Sequence, residues 1–159
     1  MEYDLIVIGS GPGGYVASIR ASQLKMKVAV IEKADIGGVC LNWGCIPTKA
    51  LLKSAQVYEY LKHPADYGIT AEGSVKPDFG AIIARSRAVA EGMSKGVQYL
   101  FRKNKIDQLT GKGRLAGNGM VEVVDAAGEK KQYSAKNIIL ATGARSKELP
   151  GLKQDGRKI

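Results

Sequence analysis

The chain has 159 residues, enough for one hydrophobic core but not for a nucleotide-binding domain together with a second domain and a dimerisation domain. Its 24 basic and 15 acidic residues leave a net charge of +9, but the lysines are scattered and no run combines them with aromatic residues. We therefore predict solvated surface charge rather than a nucleic-acid site. No apolar run approaches the roughly 18 residues of a membrane span, so no membrane association is predicted either.

The first third of the chain has the pattern of a βαβ unit. Residues 3–8 are a short apolar run that ends at a glycine, residues 12–24 have helical spacing, and residues 27–31 are a second β-branched run. Strands joined in this way lie parallel with a right-handed crossover. Because the first strand begins at residue 3, we expect no signal or transit peptide and a cytoplasmic location, where a redox-active thiol pair is more common than a structural disulfide.

Two helices and a group of short strands are predicted after this unit. One helix runs from Pro47 to about residue 62, and a second, capped by Asp78, runs to about residue 103, with a loop over residues 67–77 between them. Short strands follow at residues 106–109, 121–124, 132–134 and 137–140. The fold predicted is α/β, with a central parallel sheet, helices and an inserted small antiparallel β-meander.

A glycine-rich loop, Gly9-Ser10-Gly11-Pro12-Gly13-Gly14, joins the first strand to the first helix. Its first glycine allows a tight turn, its second lets the backbone approach a pyrophosphate, and its last allows close helix packing, while the helix N-terminus offers N–H groups to phosphates. Glu32 follows the second strand and is placed to accept hydrogen bonds from a ribose. We predict dinucleotide binding, although the fingerprint does not separate FAD from NAD, and a glycine-rich turn without a ligand is the alternative.

A second match to this fingerprint, residues 111–116, is rejected as an independent site. It has the form G-x-G-x-x-A, but Gly117-Asn118-Gly119 follows where a helix is required.

Cys40 and Cys45 are the only cysteines of the chain. A regular helix would separate them by about 7.5 Å along its axis, whereas a disulfide needs a Cα separation of about 4.4–6.8 Å. If they are oxidised, a distorted turn at residues 42–44 must bring them together, and such a bridge is more easily reduced than a relaxed one. Two buried free thiols are the alternative. A metal site is not predicted, because His63 is the only histidine and no third cysteine exists.

The segment 37–49 resembles the redox-active disulfide motif of the pyridine nucleotide–disulfide oxidoreductases. Its wording, Gly-Gly-Val-Cys-Leu-Asn-Trp-Gly-Cys-Ile-Pro-Thr-Lys, is most similar to that of the dihydrolipoamide dehydrogenases, while glutathione and mercuric reductases carry close variants. The resemblance includes the first fingerprint and the motif Ala141-Thr142-Gly143-Ala144. It implies a Rossmann-like FAD-binding domain with a redox-active disulfide over residues 1–150, and over residues 151–159 the start of a connection to an NAD domain that the chain lacks.

The resemblance also implies roles for individual residues. Cys40 would be the interchange thiol that attacks a substrate disulfide, Cys45 would be the thiol nearest the flavin, and Lys49 would lie beside the flavin ring. The other FAD-binding residues it implies are Gly9, Gly11, Pro12, Gly13, Gly14, Glu32, Lys33, Gly38, Val39, Gly44, Lys112, Gly113, Ala141, Thr142 and Gly143.

The implied reaction passes electrons from dihydrolipoamide, presented by the lipoyl domain of a 2-oxoacid dehydrogenase complex, through the disulfide and FAD to NAD. The family's general base is a histidine held by a glutamate near the C-terminus of the partner subunit in a homodimer, and His63 does not match it. We therefore expect an N-terminal fragment that does not turn over alone, with NAD used only by the full-length protein. A related reductase and a non-catalytic nucleotide-binding module are the alternatives.

Overall fold

The computed structural model describes residues 2–157, so Met1 and the last two residues of the predicted connection, 158 and 159, lie outside the described part. The strands are β1 Glu2–Ile8, β2 Val28–Glu32, β3 Asp107–Thr110, β4 Lys112–Gly117, β5 Met120–Val124 and β6 Lys130–Leu140. The helices are α1 Pro12–Gln23, α2 Gly38–Asn42, α3 Cys45–Lys62 and α4 Phe79–Lys103, with a 3-10 turn at Pro64–Tyr67.

The six strands form one sheet in the order β3-β2-β1-β6-β5-β4. Parallel pairs join β1 to β2, β1 to β6 and β2 to β3, whereas β5 is antiparallel to both β4 and β6. The sheet therefore combines a parallel Rossmann-like part with an antiparallel meander of β4, β5 and β6, which confirms the predicted fold class.

Alternate residues of the central strands serve two different cores. Leu5 and Val7 of β1 belong to the cluster that α4 covers with Phe101, which is fully buried. Ile6 and Ile8 belong to the cluster on the other face, together with apolar residues of the meander. Because both faces of β1 and β2 are covered, these strands read as continuous apolar runs rather than alternating ones.

The structure corrects the predicted strands of the meander in two ways. Residues 132–134 and 137–140 were predicted as separate strands, but they belong to the single strand β6, whose first half pairs with β5 and whose second half pairs with β1. Lys136 lies between these two segments, and its side chain lies outside the core, where it forms an ion pair with Asp4 at 2.8 Å. The strand β4 was not predicted at all.

The helices mostly begin and end close to the predicted residues. Asp78 caps α4, because its side chain accepts a hydrogen bond from the backbone N–H of Ala81 at 3.0 Å. The short helix α2 was missed, and α3 begins at Cys45 rather than Pro47. In the part of the chain described, none of the helices combines the length and the apolar character that a membrane crossing needs.

Candidate functional site

A cavity of about 680 Å³ opens where β1 and β2 end and where the chain leaves β6. Ligands of open α/β sheets bind at the carboxyl ends of the parallel strands, and the volume is within the usual range of about 300–1,000 Å³ for such sites. Most of the predicted site residues line it: Gly9, Gly11, Pro12, Glu32, Lys33, Gly38, Val39, Cys40, Gly44, Cys45, Lys112, Gly113, Ala141, Thr142 and Gly143.

Three predicted residues do not line this cavity: Gly13, Gly14 and Lys49. The structure also adds lining residues that sequence reasoning missed, namely Ile8, Ile31, Ala34, Asp35, Trp43, Gly111 and Ala144. Trp43 lies within the cysteine motif and could have been found from its position there. The two isoleucines carried no such signal, because an apolar strand residue is first interpreted as core.

The backbone of the glycine-rich loop at residues 9–14 is packed so closely that two of its positions admit only glycine. Gly9 has a φ of 102°, and a Cβ added there would lie 2.2 Å from the carbonyl oxygen of Ala141. A Cβ added to Gly14 would lie 1.9 Å from the carbonyl oxygen of Gly9. The loop is therefore pressed against the end of β6 and against the start of α1, as the predicted tight turn requires.

Gly11 has the opposite surroundings. It lines the cavity, and a Cβ added there would meet no atom within 4 Å, so a side chain at this position would enter open space beside the helix end. Gly11 is also the N-cap of α1, where no side chain caps the helix in the described structure. Backbone N–H groups of the first helical turn lack intrahelical partners, so this end of α1 can hold a phosphate.

Glu32 is the last residue of β2, and its carboxylate accepts four hydrogen bonds. Oε2 accepts from the backbone N–H of Ser10 at 2.9 Å and from its hydroxyl at 2.7 Å, and Oε1 accepts from the backbone N–H groups of Lys33 and Ala34 at 2.9 and 3.0 Å. Burial favours the neutral acid, but the hydrogen bonds outweigh it and hold the pKa of Glu32 below its usual value. The carboxylate is therefore an ionised acceptor at the cavity wall.

The cysteines lie on two helices that are separated by a break. Cys40 is in α2 and Cys45 is the first residue of α3, and the chain between them turns at Gly44, with φ −122° and ψ −113°. The break lies at residues 43–44, within the expected segment 42–44, although Asn42 still belongs to α2 and the expectation was made for an oxidised pair. Both are free thiols, Cys40 half-buried and Cys45 exposed, so the alternative of two buried thiols is wrong.

Cys45 and Lys49 both influence the pKa of the Cys40 thiol. The pKa of Cys40 is raised above its usual value, mainly by a hydrogen bond with Cys45 and to a smaller extent by burial. The charge of Lys49 acts in the opposite direction, because it favours the thiolate. Lys49 therefore influences Cys40 although it does not line the cavity.

Helix α4 holds the segment around α2 in place. The hydroxyl of Ser94 donates to the carbonyl oxygen of Ile36 at 2.7 Å, and the guanidinium of Arg87 donates to the carbonyl oxygen of Asn42 at 3.0 Å. The side-chain amide of Asn42 donates back to the carbonyl oxygens of Ile36 and Gly38 at 3.1 and 3.0 Å. Both ends of α2 are thus anchored by side chains.

The meander supplies the remaining wall through Lys112 and Gly113 of β4. A Cβ added at Gly113 would lie 3.0 Å from Cγ2 of Ile31 and 3.2 Å from Cγ2 of Ile8. The segment rejected as a second fingerprint is therefore an edge strand that packs over the ends of β1 and β2.

Curated proteins that are similar to this chain share one name. The chain is 54% identical to "Dihydrolipoyl dehydrogenase" of Zymomonas mobilis, over 99% of this chain and 34% of that protein. It is 50% identical to "Dihydrolipoyl dehydrogenase" of Rhizobium etli, over 99% of this chain and 36% of that protein. The chain spans about a third of the length of these curated relatives. The family model described as "Pyridine nucleotide-disulphide oxidoreductase" matches residues 3–159, and the chain belongs to that family.

Proposed function

We propose that this chain is the FAD- and disulfide-bearing part of a dihydrolipoyl dehydrogenase-type oxidoreductase. One observation carries the proposal: the glycine-rich loop, Glu32 and both cysteines line the same cavity. A nucleotide held at one end of that cavity would extend toward the thiols at the other end. The names of the similar proteins agree with this function.

The cavity walls fit the adenosine half of FAD. Gly11 leaves room for a pyrophosphate at the N-terminus of α1, and Glu32 can accept ribose hydroxyls at the end of β2. Lys112 and Gly113 would contact the adenine from the meander, and Thr142 and Gly143 would approach the pyrophosphate. FAD, when bound, supplies two-electron transfer between a thiol pair and a nicotinamide.

Cys40 and Cys45 would have different roles in the reaction. In the oxidation of dihydrolipoamide, a substrate thiolate would attack Cys40 of the oxidised pair, so that a substrate–Cys40 disulfide forms and Cys45 leaves as the thiolate next to the flavin; the second substrate thiol would then displace Cys40. In the reverse direction, Cys40 would attack the substrate disulfide. Because the Cys40 pKa is raised, its thiol keeps its proton to a higher pH than an ordinary cysteine, so a base must accept that proton before Cys40 attacks a disulfide. In the direction of dihydrolipoamide oxidation, the same base would accept the proton of the attacking substrate thiol. We propose that this base belongs to another part of the full-length protein.

We propose the same substrate, partner and location that the sequence implies. The full-length protein would act in the cytoplasm as a homodimer on dihydrolipoamide carried by the lipoyl domain of a 2-oxoacid dehydrogenase complex, with NAD as the final acceptor. A panel of lipoamide, glutathione disulfide and Hg²⁺ tested on the full-length protein separates this substrate from those of related reductases.

The visible spectrum of the purified chain tests the proposal. We expect it to take up FAD, with quenching of the fluorescence of Trp43, which is the only tryptophan and lines the cavity. Two-electron reduction should then produce a long-wavelength absorbance band. A colourless chain that takes up no FAD would instead indicate a module without this cofactor.

The two cysteine variants assign the roles. Cys45→Ser should abolish the long-wavelength band, because it removes the thiolate nearest the ring, whereas Cys40→Ser should keep or enhance it. Equal behaviour of the two variants would contradict the assignment, and each serves as the matched control for the other.

A further inference from the structure

Ser10 connects three segments of the site. It is completely buried, with 0% of its surface exposed. Its hydroxyl donates to Oε2 of Glu32 at 2.7 Å and accepts from the backbone N–H of Gly37 at 3.1 Å. The Ser10 hydroxyl of the glycine-rich loop therefore lies between the Glu32 carboxylate at the cavity wall and Gly37, the residue that precedes α2.

The carboxylate of Glu32 has little room for another donor. An ionised carboxylate offers about four acceptor positions, and four protein donors already contact this one. Three of them are backbone N–H groups, which the fold holds in place. The fourth is the hydroxyl of Ser10, the only one of the four whose hydrogen can rotate away.

Displacement of the Ser10 hydroxyl from Glu32 would weaken the hydrogen bond that this hydroxyl accepts from Gly37. A hydroxyl that donates to a carboxylate is polarised and becomes a better acceptor, so losing that bond weakens the bond it accepts. Gly37 is the N-cap of α2, the helix that carries Cys40, and its φ is 100°. A Cβ added at Gly37 would lie 2.5 Å from Cδ2 of Leu41, so this helix start is tightly packed.

We propose that Ser10 is a positioning residue that couples occupancy of the nucleotide site at Glu32 to the equilibrium between the dithiol and disulfide forms of Cys40 and Cys45. The inference rests on the proposed function, because it takes a ribose hydroxyl as the donor that replaces Ser10 at Glu32. Replacement loosens the anchor of α2, and a less firmly held thiol pair closes less readily.

The coupling is reciprocal, as any linkage between two sites must be. If the nucleotide favours the dithiol form, the dithiol form binds the nucleotide more tightly by the same factor. We expect a factor of about five, at the lower end of ordinary coupling between sites.

ADP is a suitable probe, because it carries the adenosine and pyrophosphate of FAD but has no redox chemistry. The chain is equilibrated with glutathione, and the fraction of disulfide is measured by alkylation and mass spectrometry. In this exchange the two thiols and one glutathione disulfide give the protein disulfide and two reduced glutathiones, so atoms and electrons balance. Saturating ADP should lower the equilibrium constant for disulfide formation about fivefold.

Two serine variants separate the coupling from general loosening of the loop. Ser10→Ala should have a lowered equilibrium constant that no longer responds to ADP. Ser94→Ala is the matched control, because it also removes a buried hydroxyl that bonds beside Gly37, at Ile36, but does not contact Glu32. Its equilibrium constant should shift, while the fivefold response to ADP remains.

Each outcome has a distinct meaning. Failure of the wild-type chain to bind either ADP or FAD overturns the proposed function and this inference with it. ADP binding by calorimetry without any change in the thiol equilibrium overturns the inference alone, as does full coupling in Ser10→Ala or its loss in Ser94→Ala. If Ser10→Ala does not fold, Glu32→Gln tests the same link between Glu32 and Ser10, because an amide cannot accept all four hydrogen bonds. At saturating ADP, the disulfide equilibrium constant of Glu32→Gln should no longer change.

Discussion

The two ends of the cavity differ: at the rigid end, formed by the glycine-rich loop and Glu32, close packing and hydrogen bonds fix the backbone, whereas at the dithiol end the helix breaks between α2 and α3 and Cys45 is exposed. Gly9 and Gly14 are in contact with backbone atoms of their neighbours, and Glu32 is held by four donors. Cys45, by contrast, is exposed and follows the break at Gly44.

The difference matches what the proposed function requires of each end. Recognition of a nucleotide requires donors and acceptors in fixed positions, because each misplaced group loses its hydrogen bond without recovering the lost hydration. A thiol pair that opens and closes needs room for its sulfur atoms to move apart and return. The rigid end and the exposed dithiol end therefore lie side by side, and among residues 2–157 only Ser10 has side-chain hydrogen bonds to both Glu32 and Gly37.

The largest effect is expected at the rigid end, from Gly14→Ala. Its Cβ would lie 1.9 Å from the carbonyl oxygen of Gly9, so the loop or the helix must shift, which we expect to lower the free energy of unfolding by about 3 kcal/mol or more. Chemical denaturation measures this. Gly13→Ala is the matched control, because its Cβ meets no atom within 4 Å and alanine favours a helix; equal destabilisation of both variants would show that the loop is not rigid in this way.

At the dithiol end, Cys45→Ala should change reactivity rather than the fold. The hydrogen bond with Cys45 is the main cause of the raised Cys40 pKa, and the charge of Lys49 favours the thiolate, so the variant should lower the pKa of Cys40. The pH profile of thiolate absorbance at 240 nm should move toward lower pH. Lys49→Gln should move it the other way, and an unchanged profile in Cys45→Ala would contradict direct contact of the thiols.

A smaller effect on stability is expected from the Glu32 carboxylate. Its pKa is lowered in the folded chain, so its contribution is fully present above the ordinary value of 4.5 and is lost as the pH falls through the folded-state pKa. Glu32→Gln should therefore be less stable than the wild type near pH 7, by roughly 1–3 kcal/mol, and the difference should shrink in acid. Thermal unfolding at several pH values measures this.

Glu129→Gln is the matched control for that series. Glu129 is exposed at the turn of the meander, and its replacement should leave the acid profile unchanged. A difference between wild type and Glu32→Gln that stays constant with pH would mean that the hydrogen bonds do not favour the ionised form.

Local patterns in the sequence were sufficient for the first βαβ unit, the capped helix α4 and the departure from helix between the cysteines. Glycine spacing, apolar periodicity and the position of Asp78 each act over a few residues, so they can be interpreted without a partner segment. The family motifs likewise identified most of the cavity wall, including Lys112 and Gly113, although not the strand β4 that carries them.

Only the tertiary structure decided which distant residues meet. The strand β6 is continuous because two different neighbours, β5 and β1, pair with its two halves, and no local pattern reports a change of partner. Ser10 is an unassigned position inside a glycine motif until Glu32 and Gly37, 22 and 27 residues away, are brought to its hydroxyl. Hydrogen bonds and strand pairing depend on the proximity of segments far apart in the chain, whereas periodicity describes each segment by itself.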